Sequence, residues 1–71
     1  MKVFLAGATG VVGRRLSVLL RKAGHDVAGT TRSEAKVAAL RAIGVIPVVV
    51  DAYDPDRLNL AVYAAQPDVI I

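Results

Sequence analysis

Apolar positions along the chain fall alternately into short continuous runs and into helical stripes. KVFLA, at the start, is an apolar run of strand length that stops at glycines, and it predicts a strand buried on both faces. Val12, Leu16, Leu19, Leu20 and Ala23 then recur at helical spacing, predicting a helix that buries those positions and ends at Gly24. DVAGTT is a second strand. Ser33 is placed to cap a helix in which Val37 and Leu40 share a face and which Gly44 stops. VIPVVV is a third strand, and because Pro47 has no N–H for a ladder it belongs on a sheet edge. Asp54 caps the next helix, Pro55 takes its first position, and Leu58, Ala61, Val62 and Ala65 form its buried stripe. DVII begins a fourth strand.

The order β-α-β-α-β-α-β, with near-continuous apolar strands, implies a parallel sheet with right-handed crossovers. A doubly wound, Rossmann-like arrangement in three α/β/α layers gives the spatial strand order 3-2-1-4. The first two helices then lie on one face and the third on the other. Pro47 on an edge fits that order. The chain reads as one partial dinucleotide-binding domain over residues 1–71, with no linker or repeat beyond the strand–helix unit itself.

Length qualifies the picture, since a domain of 71 residues buries only about 60% of the surface its unfolded chain exposes. With no cysteine and a single histidine, neither disulfides nor a zinc site reinforces so small a core. Thiol chemistry and iron–sulfur clusters are excluded for the same reason, and the composition suits a reducing cytoplasm. The net charge of +3 comes from nine basic and six acidic residues that are dispersed, with Arg14, Arg15, Arg21 and Lys22 on one predicted helix. No aromatic platform accompanies them, so a solvated helix face is expected rather than a nucleic-acid surface. No stretch approaches the ~20 apolar residues of a membrane span, and the glycines break any signal-peptide core.

The candidate chemistry lies in GATGVVG, residues 7–13. It occupies the turn between the first strand and the first helix, at the carboxyl end of the sheet, where the unpaired N–H groups of a helix start cradle phosphate. Gly7 permits a tight turn, Gly10 lets the backbone approach a pyrophosphate, and Gly13 allows close helix–strand packing. The spacing is G-x-x-G-x-x-G, because Thr9 stands where the strict dinucleotide pattern has glycine.

With these residues the chain resembles the extended and atypical branches of the short-chain dehydrogenase/reductase family, the NAD-dependent epimerase/dehydratase-like proteins, whose members carry GATGxxG after the first strand. The likeness continues through AGHDV, TTRS, VVVDAYDP and PDVII and covers essentially the whole chain. It implies NAD or NADP as cofactor and a parent that is an oxidoreductase or epimerase. It also implies that Asp51 contacts the adenine amino group, with the backbone of Ala52 alongside; the alternative for Asp51 is loop capping.

Cofactor preference follows from charge. An NAD site places a carboxylate about 20 residues past the glycines, at the end of the second strand. Thr30, Thr31 and Arg32 stand there instead, while Asp26 is at the strand's other end. NADP is therefore expected over NAD, with Arg32 pairing with the 2′-phosphate, a contact worth about 1.5–3 kcal/mol. The candidate cofactor contacts are Gly7, Thr9, Gly10, Val11, Val12 and Gly13 in the turn, Thr31 and Arg32 after the second strand, and Asp51 and Ala52 after the third.

Catalysis in the resembled family uses Tyr-x-x-x-Lys. Tyr53 is followed at that spacing by Arg57 and Tyr63 by Pro67, so no catalytic residue is carried over. DAYDPD lacks the glycine and glutamate of a calcium loop, and His25 has no partner cluster. Because the sequence ends within an apolar strand, it reads as the truncated N-terminal half of a longer protein. The unpaired strand edge and a thinly covered sheet face predict a homodimer. An excised or engineered folding unit that oligomerises without a ligand is the alternative reading.

Overall fold

In the computed structural model, which describes residues 1–51 and 53–71, four parallel strands alternate with three helices. In chain order they are β1 (Lys2–Leu5), α1 (Val11–Lys22), β2 (Asp26–Thr31), α2 (Val37–Ala42), β3 (Val45–Val49), α3 (Pro55–Ala65) and β4 (Val69–Ile70). The sheet order is β3-β2-β1-β4, as the alternation of apolar runs predicts. Its register pairs Val3 with Val27 and Val27 with Val45, and on the other side of β1 it pairs Phe4 with Ile70. Pro47 does lie on the edge strand β3, where its missing N–H costs no ladder bond.

One face of the sheet carries the core. Leu5, Ala8, Val27, Leu40 and Val45 are buried together, with Leu16 and Leu20 of α1 and Ile43 packed against them. Here α1 departs from the stripe its sequence suggests, since Val12 is 78% exposed and Leu19 63%, and Ala23 is exposed as well. The helix turns Gly13, Leu16, Ser17 and Leu20 to the sheet instead. Two local facts fix that rotation. A Cβ on Gly13 would collide with the carbonyl oxygen of Gly7 and lie 3.1 Å from Cα of Ala8, so only glycine brings the helix this close. Ser17, fully buried, donates its hydroxyl to the Gly13 carbonyl at 2.8 Å and so needs no other partner.

The second helix also differs. A 3₁₀ turn, Glu34–Lys36, precedes α2, and Ser33 makes no side-chain cap. The hydroxyl that serves this loop belongs to Thr31, which accepts from the Ser33 N–H at 3.2 Å. Gly24 and Gly44 adopt φ of +89° and +82° after their helices, which stops both where the sequence indicates.

On the opposite face lies α3. Its start is as expected: Asp54 accepts from the Arg57 N–H at 3.3 Å, with proline in the first turn and Asp56 on the positive end of the helix. Leu58, Ala61, Val62 and Ala65 are its less exposed positions, yet none is fully buried. An apolar groove of about 400 Å³, lined by Ala28, Ile46, Val48, Ala61 and Ala64 among others, remains between α3 and the sheet. No helix of the described residues is long and apolar enough to cross a membrane.

Candidate dinucleotide site

The loops that follow β1, β2 and β3 meet at the carboxyl end of the sheet. Between them is an open groove of about 380 Å³, bordered by Gly7 and Thr9, by Thr31 and Arg32, and by Asp51. Half of the residues singled out in the sequence are thus brought to one place by the parallel topology. The other part of the glycine motif stands beside the groove, at the start of α1.

That helix start is open in two senses. Gly10 is its N-cap, with φ −69° and ψ 166°, and it supplies no side-chain cap; the first turn holds no acidic residue. The first intrahelical bond runs from the Arg14 N–H to the Gly10 carbonyl at 2.8 Å. The N–H groups of Val11, Val12 and Gly13 therefore precede the helix's own acceptors, and with the helix dipole they form a positive, donor-rich end. By contrast α3 fills its own end with Asp54 and Asp56.

The three glycines are glycine for three different reasons. Gly7 has φ +77°, a conformation that side-chain-bearing residues resist. Gly13 is required by packing against Gly7 and Ala8. Gly10 is required by neither: its backbone is ordinary, and an added Cβ would meet only the Gly7 carbonyl, at 3.8 Å. The space above Gly10 is free for something other than protein, and a phosphate of a dinucleotide fits that cradle.

After β2, Thr31 is buried, and its hydroxyl is engaged within its own loop by the Ser33 N–H and the Ser33 carbonyl. Its main-chain carbonyl accepts from the Val50 N–H at 3.0 Å, which ties the β2 end to the β3 end. Arg32 is exposed, and among the described residues no carboxylate pairs with it. Asp26, at the far end of β2, forms an exposed ion pair with Arg21 at 3.5 Å. Asp51 is exposed on the groove and accepts the Tyr53 N–H at 2.9 Å, the loop-capping geometry considered for it above. Ala52 lies outside the described residues.

Two residues of this region carry no signal in a linear reading. Tyr53 is exposed beside Asp51 on the groove, although the Tyr-x-x-x-Lys spacing gives it no role. Thr30 is 1% exposed, yet its hydroxyl oxygen accepts the Gly7 N–H at 2.7 Å. Nothing in the alternation of β2 distinguishes it from any other inward-facing strand residue. Among the described residues there is no group of three His, Cys, Asp or Glu side chains arranged to hold a metal ion.

The model of the NAD dependent epimerase/dehydratase family matches residues 3–71. The chain belongs to that family. Membership implies a nicotinamide dinucleotide as cofactor, consistent with the donor-rich start of α1. Over all 71 residues the chain is 41% identical to an uncharacterised protein of Schizosaccharomyces pombe, of which it covers 23%. It is 38% identical to the 3-diazoavenalumate denitrifying reductase of a Streptomyces species, of which it covers 22%. The chain thus spans less than a quarter of the curated relatives it matches. Among solved structures, a Bacillus halodurans protein provisionally assigned as an NAD-dependent epimerase/dehydratase superposes over 99% of the chain and 31% of its own, with TM-score 0.81 and 31% identity. A provisionally assigned epimerase of Burkholderia cenocepacia superposes over 97% of the chain and 23% of its own, with TM-score 0.75 and 28% identity. This epimerase/dehydratase-family chain has the family's fold over nearly its whole length.

Proposed function

We propose that the chain binds the adenosine and pyrophosphate portion of NADP, and more weakly of NAD, within an oxidoreductase or epimerase whose catalytic residues lie outside these 71 residues. The observation that carries this reading is Gly10, a helix N-cap whose missing side chain neither packing nor backbone conformation explains. The pyrophosphate sits on the N–H groups of Val11, Val12 and Gly13, with Gly7 and Thr9 shaping the turn. The preference for NADP is supported by exposed Arg32 at the end of β2 and by the placement of Asp26 at the opposite end, where it repels no 2′-phosphate. Asp51 receives the adenine amino group, and Thr31 shapes the loop that presents Arg32. When bound, the nicotinamide supplies hydride transfer; the residues described here hold and orient the rest of the cofactor.

The test is a titration of the isotopically labelled chain with NADP and NAD, followed through backbone amide NMR signals. Shifts at Gly7, Thr9, Gly10 and Arg32, with tighter NADP binding, are expected. Gly10→Val is expected to abolish them and leave the chain folded, because the backbone there is ordinary and an added Cβ meets only the Gly7 carbonyl, at 3.8 Å. A Gly10→Val chain that binds as the parent does refutes the pyrophosphate assignment.

A second reading rests on the surface. Ile70 on strand β4 is exposed, and the α3 face keeps an apolar groove. These favour a homodimer formed through the β4 edge or the thinly covered face. If the protein were only an associating folding unit, neither dinucleotide would move its amide signals. A stable monomer at high concentration in sedimentation counts against the dimer.

A further inference from the structure

The glycine turn is the most conformationally permissive segment of the chain, with glycine at every third position from Gly7 to Gly13. Left to itself, such a segment samples many shapes, and a ligand that needs one of them must order it on binding. Two bonds from β2 restrict it. The Gly7 N–H donates to the Thr30 hydroxyl oxygen at 2.7 Å, and the next amide, that of Ala8, donates to the Thr30 carbonyl at 3.0 Å. Both end on Thr30, one residue beyond the last ladder pair of the two strands, Leu5 with Gly29, and start two and three residues beyond it on the β1 side. Side chain and main chain of one residue therefore carry the β1–β2 pairing into the turn. Gly29 supports this from below, because a Cβ there would collide with the Ala8 methyl group.

We infer that Thr30 is a positioning residue for the pyrophosphate: its buried hydroxyl holds the Gly7 amide and presets the turn that presents the donor groups of α1. The inference rests on the dinucleotide reading above. Threonine meets two demands at once, since its branched Cβ suits a buried strand and its oxygen accepts an N–H. Valine meets only the first. Thr30 is also continuous with Thr31, whose carbonyl holds Val50 and whose hydroxyl shapes the Arg32 loop, so the end of β2 sets all three edges of the groove.

The experiment compares the 71-residue chain with its Thr30→Val and Thr30→Ser variants. NADP and ADP are titrated separately, and hydrogen exchange at the Gly7 amide and the thermal midpoint are recorded. Thr30→Val is expected to accelerate Gly7 exchange and to weaken both ligands by one common factor, roughly threefold to tenfold, the effect of one lost hydrogen bond. Thr30→Ser restores affinity and protection together, even if its midpoint falls from the lost methyl group. Wild-type affinity in Thr30→Val overturns the proposal, as does a Thr30→Ser variant as weak as Thr30→Val. A parent chain that binds neither NADP nor ADP removes the dinucleotide reading and the proposal with it, whereas a binding parent with an equally binding Thr30→Val removes the proposal alone. If Thr30→Val does not fold, Thr30→Ser is compared with Thr30→Ala, and equal affinities there overturn it.

Discussion

Replacing Gly13 with alanine isolates the contact that seats α1 on the sheet. In an unobstructed helix interior the change is favourable, by about 0.5–1 kcal/mol, because alanine loses less backbone freedom on folding. Here the new methyl group meets main-chain atoms: the Gly7 carbonyl, the Ala8 Cα at 3.1 Å and the Ala8 carbonyl carbon at 3.3 Å. Backbone cannot rotate aside as a side chain does, so the start of α1 must lift from the turn, and overpacking of this kind costs about 1–3 kcal/mol. The net expectation is a loss of about 1–2 kcal/mol, or a fall in Tm of roughly 5–15 °C for a domain of this size. Thermal unfolding followed by far-UV circular dichroism measures it. Gly10→Ala is the matched control: its Cβ meets only one atom, at 3.8 Å, so the weaker N-cap and the reduced freedom of the unfolded chain roughly offset each other. A Gly13→Ala midpoint at or above that of the parent refutes the packing argument. An equal fall in both variants shows that the glycines share one role rather than three.

Gly29→Ala places a methyl group against the Ala8 methyl and 3.1 Å from a Val45 methyl, and a loss of roughly 1–3 kcal/mol is expected in urea unfolding. Gln66 caps α3 with φ 46° immediately before Pro67, so Gln66→Gly relieves a left-handed conformation and is expected to raise Tm by a few degrees, a gain of up to about 1 kcal/mol; an unchanged or lower midpoint counts against that strain. Arg32→Ala is expected to weaken NADP by about tenfold to a hundredfold while leaving NAD within a factor of two, measured by calorimetry. Equal losses for both ligands refute pairing with the 2′-phosphate.

Four strands, three helices and their order were legible in the sequence because each signal is local. A continuous apolar run, a glycine after a helical stripe, and Asp54 before Pro55 act on neighbouring residues whatever the rest of the chain does. Parallel order 3-2-1-4 followed from the alternation, because crossover handedness leaves few arrangements of such elements. The glycine motif likewise announced itself, since three glycines at a helix start are costly without a reason.

What the sequence left undecided is which side of α1 faces inward. Val11, Val12, Leu16, Val18, Leu19 and Leu20 spread apolar residues over rather more than half of the helix, a sector wide enough for periodicity alone to admit more than one rotation. Packing at the helix start chose one, through Gly13 against Gly7 and Ala8 of the preceding turn and Ser17 bonded back to Gly13. Thr30 and Thr31 show the same limit. As adjacent threonines of one strand they point to opposite faces, and only the approach of the turn after β1 and of the Ser33 loop gives each hydroxyl its partner. Local sequence determines which elements form, because propensity and capping act within a few residues. The tertiary structure decides which atoms meet at the carboxyl end of the sheet, because its ties between strands, such as those of Gly7 and Ala8 to Thr30, join residues more than twenty positions apart.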